Sequence, residues 1–277
     1  MTQAIRFETP AGEVRLGRLE DDTIIDAGAA PAVGFDGSDA AWQNIRTAAG
    51  TAYAKSDVKI LAPVNPGKVL AVGLNYRSHV EETNLAHPDV PMVFAKWSSS
   101  ITGPNDDIVI PREETRPDYE GEVGIVISRR GYRVTKEDAW SYVGGFTVLN
   151  DVSGRRAQLE TPMRQFTLGK SFDTFTPLGP VVASVDSVDK DALDVQTVIS
   201  GETMQKGNTR DLIFDVPTLI EYLTKGVTLE PGDVIATGTP GGVGDERKPP
   251  RYLREGDVVE ITVSGVGTIS NRVRDEV

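Results

Sequence analysis

The segment DYEGE at residues 118–122 runs directly into the apolar segment VGIVI at residues 123–127. The apolar segment is short, β-branched and followed by a polar Ser-Arg-Arg turn, which predicts a buried β-strand. Side chains alternate between the faces of a strand, so Asp118, Glu120 and Glu122 are expected to point the same way. Like charges at the end of a buried strand are costly unless a cation neutralises them, and a hard divalent ion is the usual solution. A solvated strand end is the alternative, and this segment alone does not decide between the two.

Composition narrows the class of protein. The 277-residue chain carries a formal net charge of −12 and contains no cysteine. An acidic protein lacks the basic surface that attracts nucleic acids and anionic membranes, so we expect neither as a partner. The absence of cysteine rules out disulfides and thiolate metal sites and suits a cytoplasmic location. No apolar segment approaches the roughly 18–20 residues of a membrane span, and the first ten residues lack the apolar core of a secretory signal.

A proline- and glycine-rich segment, PVNPG at residues 63–67, predicts a linker. We therefore divide the chain into a small N-terminal α+β domain of residues 1–65 and a larger domain of residues 66–277. The N-terminal part shows a helical pattern over residues 40–49 that stops at Gly50. It also contains two segments of alternating polarity, at residues 4–8 and 13–19.

The larger part is mostly β by its sequence pattern, with short helices. The clearest helix is predicted over residues 216–225, with Pro217 near its first position and Gly226 ending it. The dipeptide Ser200-Gly201 predicts a hairpin turn. Strands are predicted at residues 68–74, 121–128, 142–152, 179–184 and 194–207.

The chain has two histidines, and His79 has the more suggestive surroundings. Ser78 and Glu81 form a Ser-x-x-Glu capping box, which predicts a short helix beginning at Ser78. Glu82 then lies on the same helical face as His79, where a carboxylate would fix the imidazole tautomer and make it a better base. An exposed helical His–Glu pair is the commonplace alternative. His87 precedes a proline and is expected in a loop.

Three further features carry candidate chemistry. Asp151 ends a glycine-interrupted apolar run, and its carboxylate is either a third metal ligand or a helix N-cap. Lys170 follows apolar residues and is either a catalytic cation or a surface lysine with a buried stem. The glycine-rich segment TGTPGGVG at residues 237–244 lacks the lysine of a phosphate-binding loop. We expect a tight turn whose amides and hydroxyls bind an anionic group, the alternative being a plain loop.

Taken together, these motifs resemble the fumarylacetoacetate hydrolase family from about residue 66 to the C-terminus. They occur in the family's order and spacing at residues 72–82, 118–122, 142–151, 168–172, 229–239 and 241–244. The resemblance implies a mixed β-sandwich roll, usually in a homodimer, behind a small N-terminal domain.

The resemblance also implies roles for individual residues. Family members hold Mg²⁺ or Mn²⁺, sometimes Ca²⁺, with two glutamates and one aspartate. By position, the metal ligands are Glu120, Glu122 and Asp151. The family's catalytic His–Glu dyad and lysine match His79, Glu82 and Lys170, and its substrate-binding residues match Arg155, Gln158 and Thr239.

The chain departs from the family pattern just after Asp151. Relatives commonly have an alanine and an acid on either side of the arginine that matches Arg155, whereas this chain has Gly154 and Arg156. Two alternatives follow for Arg156. It pairs with Glu160 one helical turn on, at the solvent surface, or it reaches the pocket and selects a substrate with an additional anionic or carbonyl group.

The expected function is metal-dependent hydrolysis of a C–C bond in an acylpyruvate or β-diketone-type 2-oxo acid, through a metal-stabilised enolate. In that reaction the His79–Glu82 dyad would take a proton from water, and Lys170 would offset charge at the oxyanion. A 2-oxo acid decarboxylase, dehydratase or isomerase would use the same enolate and stays open. A non-catalytic ligand-binding protein is the alternative of a different class. It would be marked by loss of the dyad or of a metal ligand, and all of these residues are present.

Overall fold

Three β-sheets form most of the secondary structure in residues 1–160 and 162–277, the part of the chain that the computed structural model describes. The strands are β1 (Gln3–Glu8), β2 (Val14–Glu20), β3 (Thr23–Ala29), β4 (Ala52–Ala54), β5 (Lys59–Leu61), β6 (Val69–Gly73), β7 (Met92–Lys96), β8 (Ile101–Thr102), β9 (Ile108–Ile110), β10 (Pro117–Asp118), β11 (Gly121–Ile127), β12 (Val143–Asn150), β13 (Ser153–Gly154), β14 (Thr176–Ala183), β15 (Asp194–Ile199), β16 (Glu202–Asn208), β17 (Val234–Ala236), β18 (Val258–Val263) and β19 (Gly267–Asp275).

The helices are few and short. The α-helices are α1 (Asp39–Arg46), α2 (Arg77–Thr83), α3 (Arg155–Leu159), α4 (Phe166–Gly169) and α5 (Val216–Thr224). Single 3₁₀ turns span Lys55–Asp57, Ser98–Ser100, Ala139–Tyr142, Val185–Ser187 and Thr209–Asp211. None of the helices in the described part of the chain combines the length and the apolar character needed to cross a membrane.

The largest sheet has twelve strands and is mixed. Its order is β4-β3-β2-β1-β14-β12-β11-β17-β6-β7, with β5 beside β1 and β8 beside β14. The pairs β17–β6 and β8–β14 are parallel. A second sheet has the order β16-β15-β18-β19-β9, and β10 pairs with β13 in a separate two-stranded ribbon. Side chains from the two larger sheets share one core, so the prediction of a mostly β fold is confirmed.

The centre of the large sheet brings the candidate site together. Every residue of β11 and β12 is buried, which fits their β-branched and glycine-rich composition. The two strands are antiparallel, with Gly121 opposite Asn150. The start of β11 therefore lies beside the end of β12, and residues just outside each strand end become neighbours.

Most predicted elements are confirmed, with small shifts in their ends. Helix α5 has Asp215 as its N-cap, and its apolar residues are buried as predicted. The hairpin between β15 and β16 turns at Ser200 and Gly201, which have φ angles of 49° and 90°. Such angles are typical of the two central residues of a tight hairpin turn.

Two predicted helix boundaries are wrong, each because of a tertiary contact. Helix α1 ends at Arg46, before Gly50, because the Arg18 guanidinium takes the carbonyl groups of Ile45, Arg46 and Ala48 at 2.9–3.1 Å. Helix α2 begins one residue before Ser78, and its first turn is capped by Asp211, which accepts a hydrogen bond from the Ser78 amide at 3.1 Å. The strand predicted at residues 121–128 is found as β11, but Asp118 does not share it, because Asp118 belongs to β10 in a different sheet.

The N-terminal segment is continuous with the large sheet. Strand β1 pairs with β14. The Trp42 indole of α1 donates a buried hydrogen bond of 2.6 Å to the carbonyl oxygen of Gly144 in β12. Gly37 packs so closely on Gly144 that a Cβ on either glycine would lie within 3 Å of the other's backbone. The division of the chain at residue 65 into two domains stays a prediction.

We expect Trp42→Phe to lower the free energy of unfolding by about 1–3 kcal/mol, because it leaves the buried Gly144 carbonyl without its donor. Urea denaturation followed by circular dichroism measures the change. Trp97→Phe is the matched control, since Trp97 is 49% exposed. Equal stability of the two variants would contradict a structural role for the Trp42 hydrogen bond.

Candidate active site

Three buried carboxylates meet where β11 begins and β12 ends. One oxygen from each of Glu120, Glu122 and Asp151 lies within 4.8 Å of the others. Asp151 is placed by its own amide, which donates to the Glu120 carbonyl at 2.9 Å. Asn150 accepts a hydrogen bond from the Glu120 amide at 3.1 Å. The structure therefore brings together the three residues that the sequence predicts as metal ligands, in an arrangement that can hold a divalent cation.

Two buried lysines form ion pairs with two members of the triad, Glu120 and Asp151. The Lys170 ammonium group lies 2.7 Å from Glu120 and 2.8 Å from Asp151. The Lys96 ammonium group lies 2.6 Å from the other oxygen of Asp151 and also contacts the backbone carbonyl of Lys170. Lys96 ends β7 and is 1% exposed. Sequence reasoning missed it, although a lysine at the end of the apolar run MVFA was a signal that a charge is buried there.

Arg155 connects the triad to a fourth buried carboxylate. Its guanidinium lies 2.8 Å from Asp118 and 2.7 Å from Glu120, and it donates to the Gln158 side chain at 3.1 Å. Asp118 also accepts hydrogen bonds from the amides of Gly244 and Asp245. Asp118 thus orients both Arg155 and the loop that contains Gly244 and Asp245. Glu120 and Glu122 lie close to Asp151 instead.

The electrostatics of the cluster are unbalanced without a further cation. Burial, followed by the charges of Asp151 and Glu120, raises the pKa of Glu122 well above its ordinary value. Burial also acts on Glu120, but attraction to Lys170 and Arg155 outweighs it and lowers the Glu120 pKa. Glu122 therefore marks the position where a positive charge is lacking, which a proton or a metal ion would supply.

The predicted dyad forms on α2. His79 Nδ1 lies 2.6 Å from one oxygen of Glu82. The other Glu82 oxygen accepts the Gly242 amide at 2.7 Å. Because the carboxylate is only an acceptor, the imidazole Nδ1 carries the proton and Nε2 is left as the basic nitrogen. His79 is 8% exposed, so the alternative of an exposed helical pair is wrong.

The glycine-rich loop of residues 237–244 binds the protein's own carboxylates. Its amides donate to Glu122 from Gly238, to Glu82 from Gly242 and to Asp118 from Gly244, at 2.7–2.8 Å. The anionic group expected there is thus a set of catalytic-site acids. At Gly244 a Cβ would lie 2.5 Å from Asp118, so a side chain would displace that carboxylate.

Thr239 lies in the same loop, but its hydroxyl is already engaged. It donates to the Gly121 carbonyl at 3.0 Å and accepts from Gln205 at 2.7 Å. A hydroxyl has one proton to donate. Binding of a substrate carboxylate by this hydroxyl stays a prediction and would require it to turn away from Gly121.

A cavity of about 270 Å³ opens beside these residues. Five of the six predicted catalytic and substrate-binding residues line it, Glu82 being the exception. One predicted metal ligand, Glu120, also lines it. The polar lining residues are His79, Thr83, Glu120, Arg155, Gln158, Arg164, Lys170, Thr239, Asp245 and Glu246. Apolar side chains, including Leu85, Met92, Phe94 and Phe166, line the rest.

The departure at Gly154 and Arg156 has a local structural cause. The Glu114 carboxylate accepts the amides of Arg156 and Ala157, both at 3.1 Å, and so caps α3. A Cβ at position 154 would lie 2.6 Å from that carboxylate, which explains the glycine. Arg156 pairs with Glu160 at 3.0 Å. The surface alternative is therefore confirmed, and the expectation that Arg156 reaches the pocket is wrong.

Comparison with known proteins places the chain in a family. Residues 68–274 match the model described as fumarylacetoacetate (FAA) hydrolase C-terminal. The chain belongs to the fumarylacetoacetate hydrolase family. It is 45% identical to the mitochondrial oxaloacetate tautomerase FAHD2A of Bos taurus over 221 residues, covering 79% of this chain and 70% of that protein. It is also 45% identical to the oxaloacetate tautomerase YisK of Bacillus subtilis (strain 168), covering 80% and 75%.

A solved structure extends the likeness over the whole chain. The 5-carboxymethyl-2-hydroxymuconate delta-isomerase of Mycobacterium smegmatis has a TM-score of 0.83 and 33% identity, with 99% of each chain covered. The expected family and its fold class are confirmed. These relatives are named as a tautomerase and an isomerase, whereas the sequence analysis put hydrolysis first.

We expect Mg²⁺ or Mn²⁺ to raise the melting temperature of the metal-free protein. At a metal concentration one hundred times the dissociation constant, the free energy of unfolding should rise by about 2.7 kcal/mol. Glu122→Gln should abolish this shift, because it removes a ligand oxygen's charge. Differential scanning fluorimetry with and without a chelator measures the effect. The control is Glu81→Gln, an exposed glutamate on α2; an undiminished shift in Glu122→Gln would refute the metal assignment.

Proposed function

We propose that the chain is a metal-dependent tautomerase or isomerase of 2-oxo acids, with oxaloacetate as the first candidate substrate. The observation that carries the proposal is a basic His79 nitrogen in a cavity that also borders the candidate metal ligand Glu120. The two curated relatives, both oxaloacetate tautomerases at 45% identity, support this reaction over hydrolysis. An isomerase with the same fold supports it further.

The residues present fit a divalent metal ion. Glu120, Glu122 and Asp151 offer carboxylate oxygens, the ligands that Mg²⁺ and Mn²⁺ prefer. The raised pKa of Glu122, caused by burial and by the charges of Asp151 and Glu120, supports a cation at this position. A bound ion would supply Lewis-acid polarisation of the 2-oxo group and carboxylate of the substrate. Mg²⁺ or Mn²⁺ is the proposed ion, with Ca²⁺ as a further candidate.

The formal charges favour an anionic substrate. The four buried carboxylates of Asp118, Glu120, Glu122 and Asp151 face the cations Lys96, Arg155 and Lys170. This leaves one formal negative charge, which a divalent ion converts to one positive charge. A substrate carboxylate would then meet net attraction in a low-dielectric site.

In the proposed reaction, His79 acts as the base. Its Nε2 takes a proton from C3 of the keto acid, while Glu82 holds Nδ1 and stabilises the imidazolium. The proton then returns to the oxygen on C2. One C–H bond breaks and one O–H bond forms, so no water is consumed and no atom is lost. Lys170 and Arg155 keep positive charge near the oxygen on which negative charge develops.

Hydrolysis of an acylpyruvate is the second candidate, because the same dyad is able to deprotonate a water molecule. The relatives favour the proton shift, which needs no water. A homodimer and a cytoplasmic location are further proposals that rest on the family and on composition.

We expect His79→Gln to lower kcat for oxaloacetate tautomerisation by about 10²-fold or more, the scale of losing a general base. The assay follows enol absorbance in the ultraviolet and subtracts the buffer-catalysed rate. His87→Gln is the matched control, since it removes the chain's other histidine from an exposed loop. A His79→Gln enzyme as fast as His87→Gln would show that the dyad is not the base.

Product analysis separates the candidate reactions. Pyruvate released from an acylpyruvate indicates hydrolysis, and pyruvate released from oxaloacetate indicates decarboxylation. Enzyme-dependent loss of the oxaloacetate enol without pyruvate is the result expected for a tautomerase. Pyruvate formed from an acylpyruvate at a higher kcat/KM than tautomerisation would overturn the proposed order of the two functions.

A further inference from the structure

Three cations line the cavity, and they differ in how they are engaged. Lys170 is held by Glu120 and Asp151, and Arg155 is held by Asp118 and Glu120. Arg164 makes no ion pair with any residue in the described ranges 1–160 and 162–277. Of these three cations, Arg164 is therefore the one whose charge is available to pair with a ligand.

Arg164 also differs from the other two lining cations in its exposure to solvent. Lys170 and Glu120 form a buried floor, with side chains 3% and 7% exposed. Arg164 is exposed, as is Leu85, and both line the mouth. Met92, Phe94 and Phe166 add apolar lining, and the Lys170 ammonium group lies 5.0 Å from the centroid of the Phe94 ring. A ligand in this cavity therefore meets the buried charges, apolar side chains and the exposed charge of Arg164.

The backbone turns at Arg164. Its φ angle is 47°, in the left-handed region that arginine seldom adopts. The next residue, Gln165, donates its amide to the Gln158 carbonyl of α3 at 2.9 Å, which ties the segment before α4 to α3. The turn places the Arg164 side chain among the lining residues, whereas the exposed Arg156 on α3 pairs with Glu160.

The acidic lining residues Asp245 and Glu246 do not form ion pairs with Arg164 in the described residues. Asp245 is paired with Arg116 at 2.6 Å. Burial, followed by the charges of Asp245 and Glu82, raises the pKa of Glu246. The anionic far end of a substrate would be repelled there and attracted at Arg164.

We propose that Arg164 binds the second carboxylate of a dicarboxylic 2-oxo acid and so selects dicarboxylates over monocarboxylates. The planar guanidinium can take a carboxylate with two parallel hydrogen bonds. This inference rests on the proposed function, since it assumes that the 2-oxo acid end of the substrate lies at the triad.

The test compares two substrates that differ only in the far group. Oxaloacetate carries a carboxylate where 2-oxobutyrate carries a methyl group, and exchange of the C3 protons with deuterated solvent reports enolisation of both by NMR. We expect Arg164→Gln to lower kcat/KM for oxaloacetate at least tenfold, mainly through KM, and to leave 2-oxobutyrate within twofold. Arg164→Lys should recover part of the loss. Arg156→Gln is the matched control and should change neither substrate.

A binding measurement keeps the inference testable if turnover fails. Calorimetry with malate and 2-hydroxybutyrate, whose far groups differ in the same way, requires no reaction. A loss of malate affinity alone in Arg164→Gln supports the assignment even if the wild-type enzyme enolises neither substrate, a result that would refute only the proposed function. Equal losses for both ligands, or no loss for malate, would overturn the role of Arg164.

Discussion

The burial of four carboxylates beside the cavity, Asp118, Glu120, Glu122 and Asp151, is the constraint on which the site depends. Ionised groups withdrawn from water must be paired, and each partner here comes from a different part of the chain. Lys96 ends β7, Arg155 begins α3, and Lys170 follows α4. The short helices beside the large sheet therefore serve chiefly to bring cations to acids that the central strands position.

The glycine-rich loop of residues 237–244 connects the carboxylate triad to the His79–Glu82 pair. Its amides hold Glu122 of the triad, Glu82 of the dyad and the Asp118 that orients Arg155. One stretch of backbone thus holds the His79–Glu82 pair in place relative to the carboxylate triad. Such preorganisation is what a proton transfer to or from a polarised carbon requires, because the donors need no rearrangement as charge develops.

The local sequence pattern was sufficient to predict those elements that are stabilised by contacts between residues close together in the chain. Strand β11, the hairpin at Ser200, helix α5 and the shared face of His79 and Glu82 all follow from periodicity and turn chemistry. Long-range contacts were beyond its reach. The lysine that supports Asp151 comes from 55 residues earlier in the chain, and the cap of α2 comes from Asp211, 133 residues away. The family resemblance supplied the triad, because two of its members lie on one strand end and the third on another.

The departure from the family pattern near Asp151 is compensated within α3. Glu114 occupies the space that a Cβ at position 154 would need, and it caps the helix through backbone amides. Arg155 and Gln158 consequently keep their places in the cavity, and Arg156 is left at the surface. The departure therefore leaves Arg155 and Gln158 in the cavity lining. Discrimination between substrates then depends on residues at the cavity mouth, where side chains are not fixed by the buried charge cluster.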